Sequence, residues 1–151
     1  MFNTKKGAGM NLTFLLIKPD AVSSGFVDDI VICVETAGFE ILTRKQKFLT
    51  RTDEIFLCPM HLGKDFFDDL IAFMTSGPSE LLIVRRKNAT EELNRLVGVT
   101  DPEKNGKNTL RGRFGTNIRC NAVHSPNSEE NAVRELLYFF PEWEWKKPGA
   151  I

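Results

Sequence analysis

The sequence predicts an α+β sandwich of order βαββαβ, built on a four-stranded antiparallel sheet with extra short helices. Three observations carry that reading. Short apolar runs bounded by turn residues mark strands, apolar residues recurring every three or four positions mark helices, and the two alternate in that order. At 151 residues, 42% hydrophobic and 26% charged, the chain has the size and balance of one domain with its own core. Disordered, collagen-like and disulfide-stapled classes fit these figures poorly.

Leu12–Ile17 is an apolar run closed by Lys18-Pro19-Asp20, which reads as a buried strand ending in a turn. Phe26, Val27, Ile30, Val31 and Val34 follow with helical spacing, and Gly38 suits the end of that helix. Residues 39–48 alternate loosely and carry β-formers, predicting a second strand. Thr50 with Asp53 forms a capping box that opens a short helix, and Pro59 ends it. Phe66, Phe67, Leu70, Ile71 and Met74 define an amphipathic helix closed by Ser76-Gly77-Pro78. Residues 81–85 are a third strand, Ala89–Val97 a helix ending at Gly98, and 100–108 a polar loop. Residues 118–123 are predicted as the fourth strand. Ser128 then caps a last helix, with Glu129 and Glu130 at its positive end and Val133, Leu136, Leu137 and Phe140 as its buried face. The core order is the split βαβ pattern of a ferredoxin-like sandwich.

Residues 1–10 are expected to form a loose leader, 11–142 the domain, and 143–151 a tail carrying Trp143 and Trp145. Lys plus Arg equals Asp plus Glu at 20 each, so no strong basic field marks a general nucleic-acid binder. The three cysteines are scattered and odd in number, which predicts reduced thiols and a cytoplasmic setting. No apolar run approaches a membrane span, so no membrane partner is expected.

Only two histidines are present. His61 stands in a polar stretch and reads as ordinary surface or packing. His124 lies between the fourth strand and the capped helix, a strand-end position of the kind that often carries active sites. Spacing alone leaves structural and catalytic roles both open for it. Two histidines without shared helical spacing and no cysteine cluster give no recognisable metal-ligand set. A Walker A loop is absent too, since Gly106-Lys107 is followed by Asn108. Phosphate chemistry would therefore need separate cations, for which Lys18 and Arg111 are candidates; solvated charge is the competing reading of each.

Taken together, Leu16-Ile17-Lys18-Pro19-Asp20, Ser76-Gly77-Pro78, Gly98-Val99-Thr100-Asp101-Pro102, Thr109-Leu110-Arg111-Gly112 and Asn121-Ala122-Val123-His124 resemble the nucleoside diphosphate kinase family in order and spacing. The resemblance covers roughly residues 12 to 141. Arg113-Phe114-Gly115-Thr116 and Phe139-Phe140-Pro141 look like its divergent branch. It implies ping-pong transfer of a γ-phosphate from a nucleoside triphosphate to a diphosphate, through a phosphohistidine on His124. Glu135 matches the acid that orients this histidine. Lys18, Thr100 and Arg111 match phosphate ligands, and Asn121 with Lys18 matches the pair that reads the sugar 3′-hydroxyl. Phe66 falls where the family stacks an aromatic ring on the base, with Leu70 and Ile118 as apolar neighbours; by residue type alone all three read as core. Mg2+ would arrive on the nucleotide phosphates, with no metal cage on the protein. A homo-oligomer is expected, its size left open.

Four positions depart from the family pattern. Pro59 appears in place of the usual tyrosine, and Asn94 in place of a second phosphate-binding arginine, with Arg95 next to it as a candidate substitute phosphate contact. Pro126 replaces a serine that hydrogen-bonds the orienting acid. The loop at 100–108 also lacks a common Pro-Gly step. Asn94 and Pro126 favour an alternative reading, a catalytically weak nucleotide-binding or scaffold module of the same fold. A nucleic-acid-binding sandwich is disfavoured by zero net charge and the lack of an RNP-like aromatic motif.

Overall fold

A computed structural model describes residues 9–143 and 145. The leader expected at 1–10 and the tail at 143–151 therefore lie largely outside the described residues. Of the parts described, Met10 is buried, with its N–H donating to Glu129 Oε1 at 2.7 Å.

Four strands, β1 (Leu12–Ile17), β2 (Glu40–Lys47), β3 (Ser79–Arg85) and β4 (Val123–His124), form one sheet in the order β2-β3-β1-β4. Every neighbouring pair is antiparallel. Among the described residues seven α-helices accompany them: α1 (Pro19–Ser23), α2 (Val27–Thr36), α3 (Arg51–Leu57), α4 (Phe67–Met74), α5 (Ala89–Val97), α6 (Leu110–Phe114) and α7 (Glu129–Phe139). The α+β four-stranded antiparallel arrangement is the one the sequence predicts. Two 3₁₀ turns, Pro59–His61 and Pro102–Lys104, complete the set of described elements.

The alternation of strand side chains between two covered faces explains why β1 is buried at every position, its one polar residue, Thr13, being hydrogen-bonded to Thr90. Leu15 and Ile17 point to one face of the sheet and pack with Ile30, Val34, Leu93 and Val97 of α2 and α5. Leu12, Phe14 and Leu16 point to the other and pack with Leu57, Met74, Leu136 and Phe139 of α3, α4 and α7. β3 divides likewise, Leu82 and Val84 against Leu81 and Ile83. Both faces of the central strands are thus covered, and β1 delivers its C-terminal end, with Lys18, to the rim of the sheet.

Local chemistry sets the helix starts. Thr50 Oγ1 accepts from Asp53 N–H (3.2 Å) while Asp53 Oδ2 accepts from Thr50 N–H (2.9 Å), so the capping box forms with Asp in the Glu position. Ser128 Oγ accepts from Asn131 N–H at 3.1 Å.

Three details differ from expectation. The Lys18-Pro19-Asp20 turn continues as α1, for which proline at the first helical position is preorganised. The fourth strand shrinks from 118–123 to Val123–His124 because Ala122 has φ +73° and breaks the extended chain. The buried face of α7 is Ala132, Glu135, Leu136 and Phe139, and Leu137 points to solvent. That rotation carries Glu135 inward, beneath β4.

Candidate active site

The sheet rim, α3, the turn after it, α4 and the 98–122 loops enclose a cavity of about 880 Å³, within the range of nucleotide-sized ligand sites. Lys18, Phe66, Leu70, Thr100, Arg111, Ile118, Asn121 and His124 all line it. Residues from well-separated stretches of chain converge there.

His124 is placed by pairing with Leu16 on β1. Just before it, Val123 N–H donates to Asn121 C=O (2.9 Å) across Ala122, closing a γ-turn of the rare positive-φ kind. Strain of this sort persists only where surroundings impose it. Here Lys18 N–H donates to Ala122 C=O at 2.8 Å, and Ala122 N–H donates to Asp20 Oδ2 at 3.1 Å. The turn therefore locks the approach to His124 onto the end of β1. Phe14, fully buried and stacked on Phe139 at 5.1 Å, lies 6.3 Å from the His124 ring as an apolar floor.

His124 Nε2 meets Glu135 Oε1, and Glu135 is buried. With Nε2 engaged, Nδ1 is the ring nitrogen left to meet a ligand. The second carboxylate oxygen, Glu135 Oε2, is buried without a partner.

The cations are tied into the same framework. Lys18 Nζ donates to Asn121 Oδ1 (2.8 Å), and Asn121 Nδ2 donates to Thr100 C=O (3.0 Å). Burial, then the neighbouring Arg111 charge, holds the Lys18 ammonium below its ordinary pKa, with Glu54 and Asp20 opposing. Arg111 donates to Gly98 C=O (3.2 Å) and Val123 C=O (3.1 Å), while its Nε is buried without a partner. Helix α6 brings it there. Thr109 Oγ1 accepts from Gly112 N–H at 3.0 Å, and a Cβ on Gly112 would stand 2.1 Å from the Gly106 carbonyl oxygen, so only glycine fits.

Phe66 and Ile118 are exposed, not core, and face the cavity. Arg95 is not brought there. It lies on the outer face of α5, paired with Glu91 (2.9 Å) and Glu92 (3.0 Å), as 100° per residue requires once Asn94 faces inward. Asn94 instead holds the chain after His124: its Nδ2 donates to Pro126 C=O (2.9 Å), and its Oδ1 accepts from Ser125 Oγ–H (2.8 Å).

The sequence did not single out the other lining residues as site residues, among them Glu54, Cys58, His61, Asp101, Glu103 and Arg119. Cys58, the C-cap of α3, follows Glu54 by four residues, an i, i+4 spacing that the sequence shows. His61, read as surface or packing, meets Phe66 edge to face at 5.1 Å. Burial pushes the Glu54 carboxyl up to about 7, with Lys18 opposing.

Comparison with known proteins agrees with this geometry. The family model described as nucleoside diphosphate kinase matches residues 11–145. A nucleoside diphosphate kinase of Campylobacter hominis is 39% identical over 131 residues, covering 87% of this chain and 96% of that protein. One from Anaeromyxobacter sp. is 37% identical over 140 residues, covering 89% and 96%. The structure of a halophilic nucleoside diphosphate kinase from Halobacterium salinarum in complex with CDP superposes with a TM-score of 0.83 at 29% identity, covering 93% of this chain and 97% of that one. Among the described residues, no helix is long and apolar enough to cross a membrane.

Proposed function

The chain belongs to the nucleoside diphosphate kinase family, a family of enzymes that transfer phosphate between nucleotides, and we propose that it does so in two steps through His124. The observation that carries this reading is the pairing of His124 Nε2 with buried Glu135 in a cavity that also holds Lys18 and Arg111.

Glu135 accepts a hydrogen bond from Nε2–H and so fixes the tautomer whose lone pair is on Nδ1. Nδ1 attacks the γ-phosphorus of a nucleoside triphosphate. The bond from that phosphorus to the β–γ bridging oxygen breaks, and the diphosphate leaves with the electron pair. In the second step a terminal oxygen of another diphosphate attacks the same phosphorus, and the N–P bond returns its pair to Nδ1. Lys18 and Arg111 stabilise the charge spread over the transferring group. Thr100 adds a phosphate contact, and Asn121 with Lys18 holds the sugar 3′-hydroxyl. Phe66 stacks on the base between Leu70 and Ile118, which suits every base because each has a π-face.

Arg119 is a better third cation than Arg95, since it lines the cavity while Arg95 is engaged on α5. The nucleotide substrate arrives as its Mg2+ complex. Asp101 and Glu103 on the cavity wall are the oxygen donors that would help hold that ion, which would neutralise phosphate charge. A cytoplasmic homo-oligomer is the matching setting, supported by exposed Ile32, Phe48 and Leu137 on the single chain. A weakly catalytic nucleotide-binding module is the second reading, favoured by the orphaned Glu135 Oε2.

Initial rates against donor concentration at several acceptor concentrations test the two-step scheme. Parallel double-reciprocal lines are expected; lines that converge would mean both nucleotides bind together, and the scheme would fail.

A further inference from the structure

Glu54 lies on α3 and Cys58 caps the C-terminal end of that helix, and the 3₁₀ turn that follows folds His61 back beside them. A carboxylate oxygen, the thiol sulfur and an imidazole nitrogen from these three residues lie within 4.8 Å of one another. Two further facts point to a ligand. Glu54 is only 3% exposed, yet its Oε2 is buried with no hydrogen-bond partner. His61 Nδ1 is also buried and unpartnered. Orphaned polar atoms of this kind are costly unless something fills the gap between them.

We propose that Glu54, Cys58 and His61 form a binding site for a thiophilic divalent cation of the zinc class, set in the cavity wall. Sulfur, imidazole nitrogen and carboxylate oxygen together suit Zn2+ and are a poor set for Mg2+, which takes oxygen ligands. Tetrahedral zinc holds such ligands roughly 3.3–3.6 Å apart, so the side chains close by about 1 Å on binding. Three protein ligands leave the fourth position open towards the cavity, the arrangement of an exchangeable site.

The test uses the full chain, free of affinity tags, reduced, chelator-stripped and without nucleotide, so its outcome is independent of the phosphotransfer reading. Titration with Co2+ should give one cation per chain, with a near-ultraviolet thiolate-to-cobalt charge-transfer band that Zn2+ bleaches and Mg2+ leaves intact. Cys58→Ser should remove the band; Cys33→Ser and Cys120→Ser should keep it. His61→Asn and Glu54→Gln should each weaken binding about tenfold or more. Circular dichroism reports whether each variant folds, and His61→Asn carries the test if Cys58→Ser does not. A wild type with no charge-transfer band overturns the proposal. So does a band that survives Cys58→Ser or depends on Cys120.

Discussion

Glu135 uses one carboxylate oxygen to hold His124 Nε2 and leaves the other buried without a partner. The pair is deep enough that the unused oxygen cannot turn to bulk water. The family resemblance implies a serine donor to this acid where the chain carries Pro126, which is buried on the loop that Asn94 clamps. The histidine is therefore oriented by half of the support that the carboxylate can give.

Pro126→Ser should supply the missing donor. A hydrogen bond to a buried charged group is worth about 1.5–3 kcal/mol, part of it offset by the freer unfolded chain. The expected outcome is a several-fold rise in kcat with KM unchanged. Pro126→Ala controls for the loss of proline and should show no rise. If the two variants behave alike in steady-state kinetics, the orphaned oxygen does not limit His124.

Phe66 presents its ring to the cavity while 44% exposed, a placement that costs apolar surface unless a ligand covers it. Phe66→Ala should weaken purine and pyrimidine nucleotides alike, by about 1–3 kcal/mol or roughly 5- to 150-fold in affinity. Calorimetric titration with one nucleotide of each kind reads this directly. A loss confined to one base would contradict stacking.

The framework was legible because each local cue acted alone. The apolar run of β1, the Thr50–Asp53 box, the Ser128 cap and the Ala89–Val97 helix all follow from residue order and short-range chemistry. What failed to show depends on tertiary placement. Phe66 and Ile118 read as core by type, yet a cavity wall needs apolar side chains that stay uncovered. The γ-turn at Ala122 is invisible because alanine gives no sign of positive φ; it is imposed by Lys18 and Asp20, about a hundred positions earlier. Glu135 follows from the family resemblance; helical periodicity gives Leu136 and Phe140 of the buried side correctly but also points to Leu137, which is exposed. His61 gained its place only when the turn after α3 brought it beside Glu54 and Cys58.

Glu54 should also make stability depend on pH. Its carboxyl rises from an ordinary 4.5 to about 7 on folding, so between those values the folded chain binds more protons than the unfolded one. Stability then falls as pH rises through this window. The contribution is about 3 kcal/mol, complete below the unfolded pKa and lost above the folded one. Denaturation midpoints of chelator-treated protein from about pH 5 to 8 should fall in the wild type and flatten in Glu54→Gln. The same slope in both would assign the dependence elsewhere.

The most direct measurement is a labelling experiment with Mg-ATP carrying label on its γ-phosphate. Wild type and His124→Ala are incubated with it, and an unlabelled diphosphate of a different base is then added. The account predicts an acid-labile label on wild type alone, chased into the new triphosphate, with nucleotide binding largely retained in His124→Ala. Label or turnover persisting in folded His124→Ala would contradict the mechanism. So would a wild type that binds nucleotide and never becomes labelled.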